Sequence, residues 1–284
     1  SGALLDARPV NYRTGTPTVD AGIGISSGGS ITIGGTLTGW SGVAADRAGD
    51  VTIAASSTKL LGTSPDSIAS TQFFADSSAS TSITVNGAIA GGIVSITSSA
   101  SGSTLAGFSA PRIALGTLIS GGEATLLTAA SLGTANLDAF VSQAKASTSV
   151  TVGQAATIRA KGDLMLAALS TGASVAQADT QAQTTGSQVA ASIAYSNLSV
   201  SSNVAVNGTL NAGGTLSVKA ANIADASVSV RAATTGSLAL GFAYNDISVH
   251  SGVTVGAAAK LSGNAVSIAA TNDQTADKGF VTRA

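Results

Sequence analysis

Two stretches far apart in the chain follow one pattern. Residues Ser82 to Ile96 read SITVNGAIAGGIVSI, and residues Asn203 to Val218 read NVAVNGTLNAGGTLSV. Each is apolar-x-apolar-x-Asn-Gly-x-aliphatic, then Gly-Gly or a near equivalent, then apolar-x-apolar. A repeat constrains a fold more than any composition does, because each unit must bury its apolar side against its neighbours. Looser copies begin at Ile31, Ile113, Val150 and Val253.

The alternation of Val204 and Val206, and of Leu216 and Val218, with small polar residues is the signature of half-buried strands. Glycine and Asn-Gly punctuate the strand ends. At Gly213-Gly214 and its equivalents the glycines are read as corners that need positive φ. A second element precedes the later copies. Thr185-Gly186-Ser187 leads to Val189, Ala191, Ile193 and Tyr195, and Thr235-Gly236-Ser237 leads to Leu238, Leu240, Phe242 and Tyr244. The last two units are therefore about fifty residues long. At two or three coils per unit, the chain would make a rod of roughly a dozen coils.

The expected fold is all-β, a single elongated parallel β-solenoid. Residues 1–24 read as a lead-in or cap, 25–270 as the repeats (more regular over 148–270), and 271–284 as a polar tail. Residues 40–49 and 59–76 read as loops inserted in the solenoid. A short helix over Ala129–Lys145 is the local alternative, and a β-sandwich is the alternative fold.

Composition supports strands. The chain holds 34 Gly, 4 Pro and no Cys, and only 10% of it is charged. Thirteen of its 14 acidic residues are Asp, the exception being Glu123, and Asp suits turns where Glu suits helices. A net charge of −1 with scattered Lys and Arg argues against nucleic acid, which needs clustered cations. No run of about 20 apolar residues suggests a membrane span.

The candidate chemistry is thin. His250, the sole histidine, alternates out of an aliphatic strand and reads as exposed. Asp163 with Lys161, and Asp225 with Arg231, are close in sequence and are the pairs considered for a carbohydrate-active β-helix (lyase, hydrolase or epimerase), and both read as solvated turn charges. Asp46 and Asp50, or Asp273 and Asp277, could hold a cation weakly, but no calcium-binding Gly-Gly-x-Gly-x-Asp repeat occurs. Tyr195 and Tyr244 occupy matching positions and read as packing residues. Thr36-x-Thr38 does not recur as the ladder an ice-binding face would need. No catalytic residue, no metal ligand and no cofactor site is assigned.

The Val-x-Val-x-Gly…Gly-Gly-x-Leu-x-Val-x-Ala pattern, linked by Thr-Thr-Gly-Ser-Leu-Ala-Leu-Gly-Phe-Ala-Tyr-Asn, resembles the repeat regions of giant filamentous adhesins of Gram-negative bacteria, of the filamentous-haemagglutinin and leukotoxin-type filamentous kinds. The resemblance covers roughly residues 24–270. It implies a right-handed parallel β-helix, export to the cell surface, and a role in adhesion or biofilm without catalysis. Such proteins begin with a signal and a secretion domain, so this chain is expected to be an internal piece. The partners implied are neighbouring repeats or copies of the chain along a fibre, and host or matrix glycans or proteins, bound in one reading through the loops at 40–49 or 59–76.

Overall fold

The computed structural model describes residues 3–7, 22–39, 48–61, 72–107, 131–132, 135–182, 189–234, 238–274 and 280–283. All the regular structure in these segments is strand. Strand β1 (Ala3–Ala7) precedes five coils. The first coil is β2 (Gly22–Ile33), β3 (Thr36–Thr38) and β4 (Val51–Leu61). The second is β5 (Gln72–Val85), β6 (Ala88–Gly91) and β7 (Val94–Gly107). After the two-residue β8 (Ser131–Leu132), the third is β9 (Ala135–Val152), β10 (Thr157–Ala160) and β11 (Leu164–Ala182). The fourth is β12 (Val189–Val206), β13 (Thr209–Ala212) and β14 (Thr215–Thr234). The fifth is β15 (Leu238–Val255), β16 (Lys260–Ser262) and β17 (Ala265–Asp273), followed by β18 (Phe280–Arg283).

Equivalent strands stack into three parallel sheets. Sheet 1 is β2-β5-β9-β12-β15, sheet 2 is β3-β6-β10-β13-β16, and sheet 3 is β1-β4-β7-β11-β14-β17 with β18 also on β14. The expected parallel β-solenoid is thus observed. The segments read as lead-in and tail both supply strands to sheet 3, β1 on β4 and β18 on β14.

The coil is larger than the repeat suggested. Ile31, Ile83, Val150, Val204 and Val253 form one column of sheet 1, so each unit makes a single coil. Five coils replace the dozen expected, because strands of 18–20 residues take up the length. At about 4.8 Å per coil and 3.3 Å per residue, the stack is roughly 25 Å tall and 60 Å broad. It is a slab, not a rod. The repeat read at Ile113 lies outside the described residues. Among the described residues the second and third coils are adjacent, β6 pairing with β10 and β7 with β11. The helix considered over Ala129–Lys145 gives way to β9 from Ala135 onward, whose alternate residues Ser142 and Ala144 point inward.

Sheets 1 and 3 face each other, and the short sheet 2 closes one end. The interior there is aliphatic: Val150, Val152, Ile158, Leu164 and Leu166, with their equivalents in neighbouring coils, form one buried cluster. Further from sheet 2 comes a buried hydroxyl row. Thr148 Oγ1 lies 2.9 Å from Ser170 Oγ and 3.0 Å from Ser202 Oγ, and Ser202 donates to the Ala221 carbonyl at 2.9 Å. One coil back Thr81, the register partner of Thr148, meets Ser98 at 2.8 Å, two residues before the position that aligns with Ser170. Beyond this row lies a smaller cluster of Ala79, Ala144, Ala146, Leu198, Val200, Ala224 and Ala226. A second hydroxyl row, Ser142, Ser174 and Ser196, follows it. A buried hydroxyl is tolerated only when paired, and these pair with each other along the stack.

The corner glycines are explained by closeness, not by φ. Neither Gly213 nor Gly214 lies in the left-handed region. A Cβ on Gly213 would instead meet the Lys161 carbonyl oxygen of the preceding coil, and one on Gly214 would meet Asp163 Oδ1. Where sheet 1 turns into sheet 2 the column runs Asn86, Gly153, Asn207, Gly256. A Cβ on Gly153 would meet the Asn86 carboxamide oxygen, and one on Gly256 that of Asn207. Asparagine in one coil therefore requires glycine in the next.

Candidate binding surface

The residues singled out for chemistry do not converge. Asp163 sits at the corner before β11, and its Oδ1 accepts the Thr215 N–H of the next coil at 2.7 Å. Asp50 does the same for Ile93 N–H at 2.8 Å. These carboxylates bind one coil to the next. Asp225 is buried on β14, in register with Ala173, and Arg231 is in register with Asp179. Asp46 and Asp277 lie outside the described residues, as do 40–47 and 62–71 of the two loops considered for binding. The ends of the second loop, Lys59–Leu61 and Gln72–Asp76, are strand. Among the described residues no three His, Cys, Asp or Glu side chains gather as a metal site. No helix among them is long and apolar enough to cross a membrane. Thr36 and Thr38 align with Ala88 and Ala90 of the next coil, so no threonine ladder forms on sheet 2.

His250 is exposed on the outward face of sheet 1. Register places it in one row with Ser80, Ser147 and Ser201. Ser82, Ser149 and Asn203 form the neighbouring row, and Thr32, Thr84, Thr151, Ala205 and Thr254 the next. Ser80, Ser147 and Ser201 with Ser82, Ser149 and Asn203, and with Gly28 and Ser30 of β2, line a groove of ≈ 560 Å³ running along the stack across the first four coils. Thr81 and Thr148 lie at its floor. The strands are thin here, since only small residues stand outward and only hydroxyls stand inward.

The groove continues sideways over Asp76, Gln143 and Asn197 and over Ser78, Lys145 and Ser199. One row further lies an apolar margin. Val141, Tyr195 and Tyr244 align, and Ile193 aligns with Phe242. The two tyrosine rings stack with centroids 5.5 Å apart and planes 5° from parallel. Tyr195 Oη donates to Asp246 Oδ2 at 3.4 Å and accepts from Asn197 Nδ2 at 3.3 Å. Partial burial pushes the Tyr195 phenol pKa above its ordinary value, and the Asp246 carboxylate adds to the rise.

The tyrosines do pack, as expected from their matched positions, but on the outside of the solenoid. The signal was present in the spacing. Strand side chains alternate faces, so Ile193 and Tyr195 lie on the side opposite Leu198 and Val200, three residues on. Since Leu198 and Val200 are core, the odd-numbered stripe must face out.

Lys59 on β4 is a buried cation at 2% exposure, and burial lowers its pKa. It aligns with Gly102 of the second coil, and Gly102 with Gly172 of the third. The cationic side chain lies in the part of the interior where the next two coils carry glycine and the fourth carries Ala224.

No protein-family model matches this chain, and neither does any curated protein or solved structure.

Proposed function

We propose that this chain is a structural and adhesive segment of an extracellular bacterial fibre, one that performs no catalysis and propagates by adding coil upon coil. The observation that carries the proposal is the state of the fifth coil. Val206, Leu216 and Val218 of the fourth coil are at most 1% exposed. Their register partners Val255, Val266 and Ile268 are 41%, 48% and 47% exposed. Among the described residues β15, β16 and β17 each have a parallel partner on one side only. The inter-coil amide bond from Asn222 Nδ2 to Asn272 Oδ1, 2.9 Å, is a contact that another coil would repeat. An open strand edge above an apolar core is a template for further strands, and a solenoid is stabilised by each neighbour it gains.

The covering coil belongs either to a longer chain or to a second copy. The dispersed acid–base pairs favour a passive fibre over a carbohydrate-active enzyme, because Asp163 is engaged in a coil-to-coil hydrogen bond and Asp225 is buried on a different strand.

The test is assembly. The chain should form concentration-dependent, end-to-end particles in sedimentation and in electron micrographs. Val255→Lys with Ile268→Lys should leave the circular dichroism spectrum unchanged and abolish the assembly. Short slabs at every concentration, or assembly indifferent to the two lysines, would remove self-stacking from the proposal.

A further inference from the structure

The two ends of the stack differ at sheet 3. β1 pairs in parallel with β4, from Ala3 with Val51 to Ala7 with Ala55. Register puts Ala3, Leu5 and Ala7 in the columns that end, on the fifth coil, at Val266, Ile268 and Ala270. β1 therefore stands where the sheet-3 strand of a preceding coil would stand. We infer that the fifth coil of a second copy docks on the first coil, and that β1 is a displaceable plug holding the place of the incoming β17. The inference rests on the fibre reading above, and names the partner surface and the gate on it.

Burial shows what β1 does. Val51 and Ile53 are fully buried, while Val266 and Ile268 of the same columns are half exposed. Ile31 and Leu37 belong to the two sheets that β1 does not join, and they are only partly buried. The aliphatic core of the first coil is thus sealed at sheet 3 by β1. That of the fifth coil is bare at the same columns.

The two ends fit. Carrying the chain's own register across two copies seats Ile33 on Val255, Leu37 on Leu261, Val51 on Val266 and Ile53 on Ile268. The corners agree as well. Asp50, Asn86, Asp163 and Asn207 each reach forward into the coil that follows them. The fifth coil has Gly256 and Ala265 at the matching places, and its Asn264 donates backward to the Gly213 carbonyl at 2.8 Å. Neither corner position there carries a side chain that reaches forward. Corner length also repeats. The long corner after β9, Gly153 to Ala156, is followed in the next coil by the short Asn207-Gly208. The fifth coil has the same long corner, Gly256 to Ala259, and the first coil the short Gly34-Gly35. A Cβ on Gly34 would meet nothing within 4 Å, so this corner is open to a neighbour.

One strand spacing, about 4.8 Å, separates stacked coils, so a docked fifth coil needs the place that β1 holds on β4. With β1 still there, β17 would meet β1, and sheets 1 and 2 would stay a strand's width short of contact. An incoming coil brings strands to all three sheets, whereas β1 brings five residues to one. The larger pairing displaces the smaller. A strand that covers an open edge guards it against pairing, and by mass action its release raises the concentration at which copies assemble.

The experiment locks and frees β1 in the full chain, followed by sedimentation. Leu4 and Thr52 are register partners, with Cα atoms about 5 Å apart, within disulfide range. Leu4→Cys with Thr52→Cys should oxidise to an internal disulfide, and the oxidised chain should form no end-to-end particles. Reduction should restore assembly at the parent's concentration. Leu4→Pro with Leu5→Pro removes two consecutive N–H groups, one of which faces β4. It should lower the concentration for half-maximal assembly by about tenfold or more. Three outcomes overturn the plug alone: the oxidised chain assembles as readily as the reduced one, the thiols stay free under oxidant, or the proline variant assembles no more readily than the parent. Weaker assembly of the proline variant would make β1 the docking strand instead. Absence of particles from the proline variant at every concentration refutes self-stacking itself, and the plug with it.

Discussion

The solenoid has two interiors. Beside sheet 2, Val, Ile and Leu fill a space held open by a third wall. Farther along the slab, sheets 1 and 3 have no wall between them and come close. There the second and third coils carry Ala, Ser and Gly inward, Leu198 and Val200 enter only on the fourth, and glycine becomes obligatory opposite them. A Cβ on Gly102 would lie 2.5 Å from the Lys145 carbonyl oxygen, and one on Gly172 would strike Val200 Cγ2. The difference teaches that one repeat can specify two packing regimes. Branched aliphatics set the wide end, and absence of volume sets the narrow end. Paired hydroxyls mark the transition, since a serine row hydrogen-bonds with itself along the stack.

The largest effect should come from emptying the wide end. Leu216→Ala removes a fully buried side chain packed between the third and fifth coils, and should cost about 3 kcal/mol in urea unfolding. In the narrow end the rule reverses, and adding volume should hurt. Gly172→Val should cost about 2 kcal/mol, whereas an interior of uniform width would tolerate it. A smaller cost belongs to the boundary. Ser202→Ala leaves Ser170 and the Ala221 carbonyl short of a partner, and should cost about 1–2 kcal/mol, while Ser248→Ala on the exposed face should cost nothing measurable.

The last prediction concerns slope more than size. Lys59 in the narrow region has a folded pKa below its ordinary 10.5. Between that lowered value and 10.5 the unfolded chain binds more protons, so stability should rise with pH across that window. Lys59→Met should flatten this rise. A rise of equal slope in the variant would show that the lysine is not desolvated.

Much of this was legible in the residues. Alternation in Val204–Val206 and Leu216–Val218 fixes the strands, and the matching of Val189 to Tyr195 with Leu238 to Tyr244 turns out to be the register itself. The coil count was not legible. Nothing in a small-residue run such as Ser170, Gly172 and Ser174 shows, in the sequence alone, that it is buried strand. They are the middle of a 19-residue strand. The outward aromatic stripe was written in the odd spacing between Tyr195 and Leu198, and was hidden by reading each apolar run separately. The groove could not be read at all from one unit, since each coil supplies only one to three of its hydroxyls.

The account depends most on one coil per fifty-residue unit. The chain has no cysteine, so a pair can be introduced cleanly. Ser199 and Ser248 are register partners on adjacent coils, both on the outward face of sheet 1. Their Cα atoms should be about 5 Å apart, within disulfide range. Ser199→Cys with Ser248→Cys should oxidise to an intramolecular disulfide, seen as lost free thiols and a shifted band on a non-reducing gel. Two or three coils per unit would separate these positions by about 10–15 Å, too far for a disulfide. Two free thiols persisting under oxidant in the folded chain would contradict the single-coil repeat.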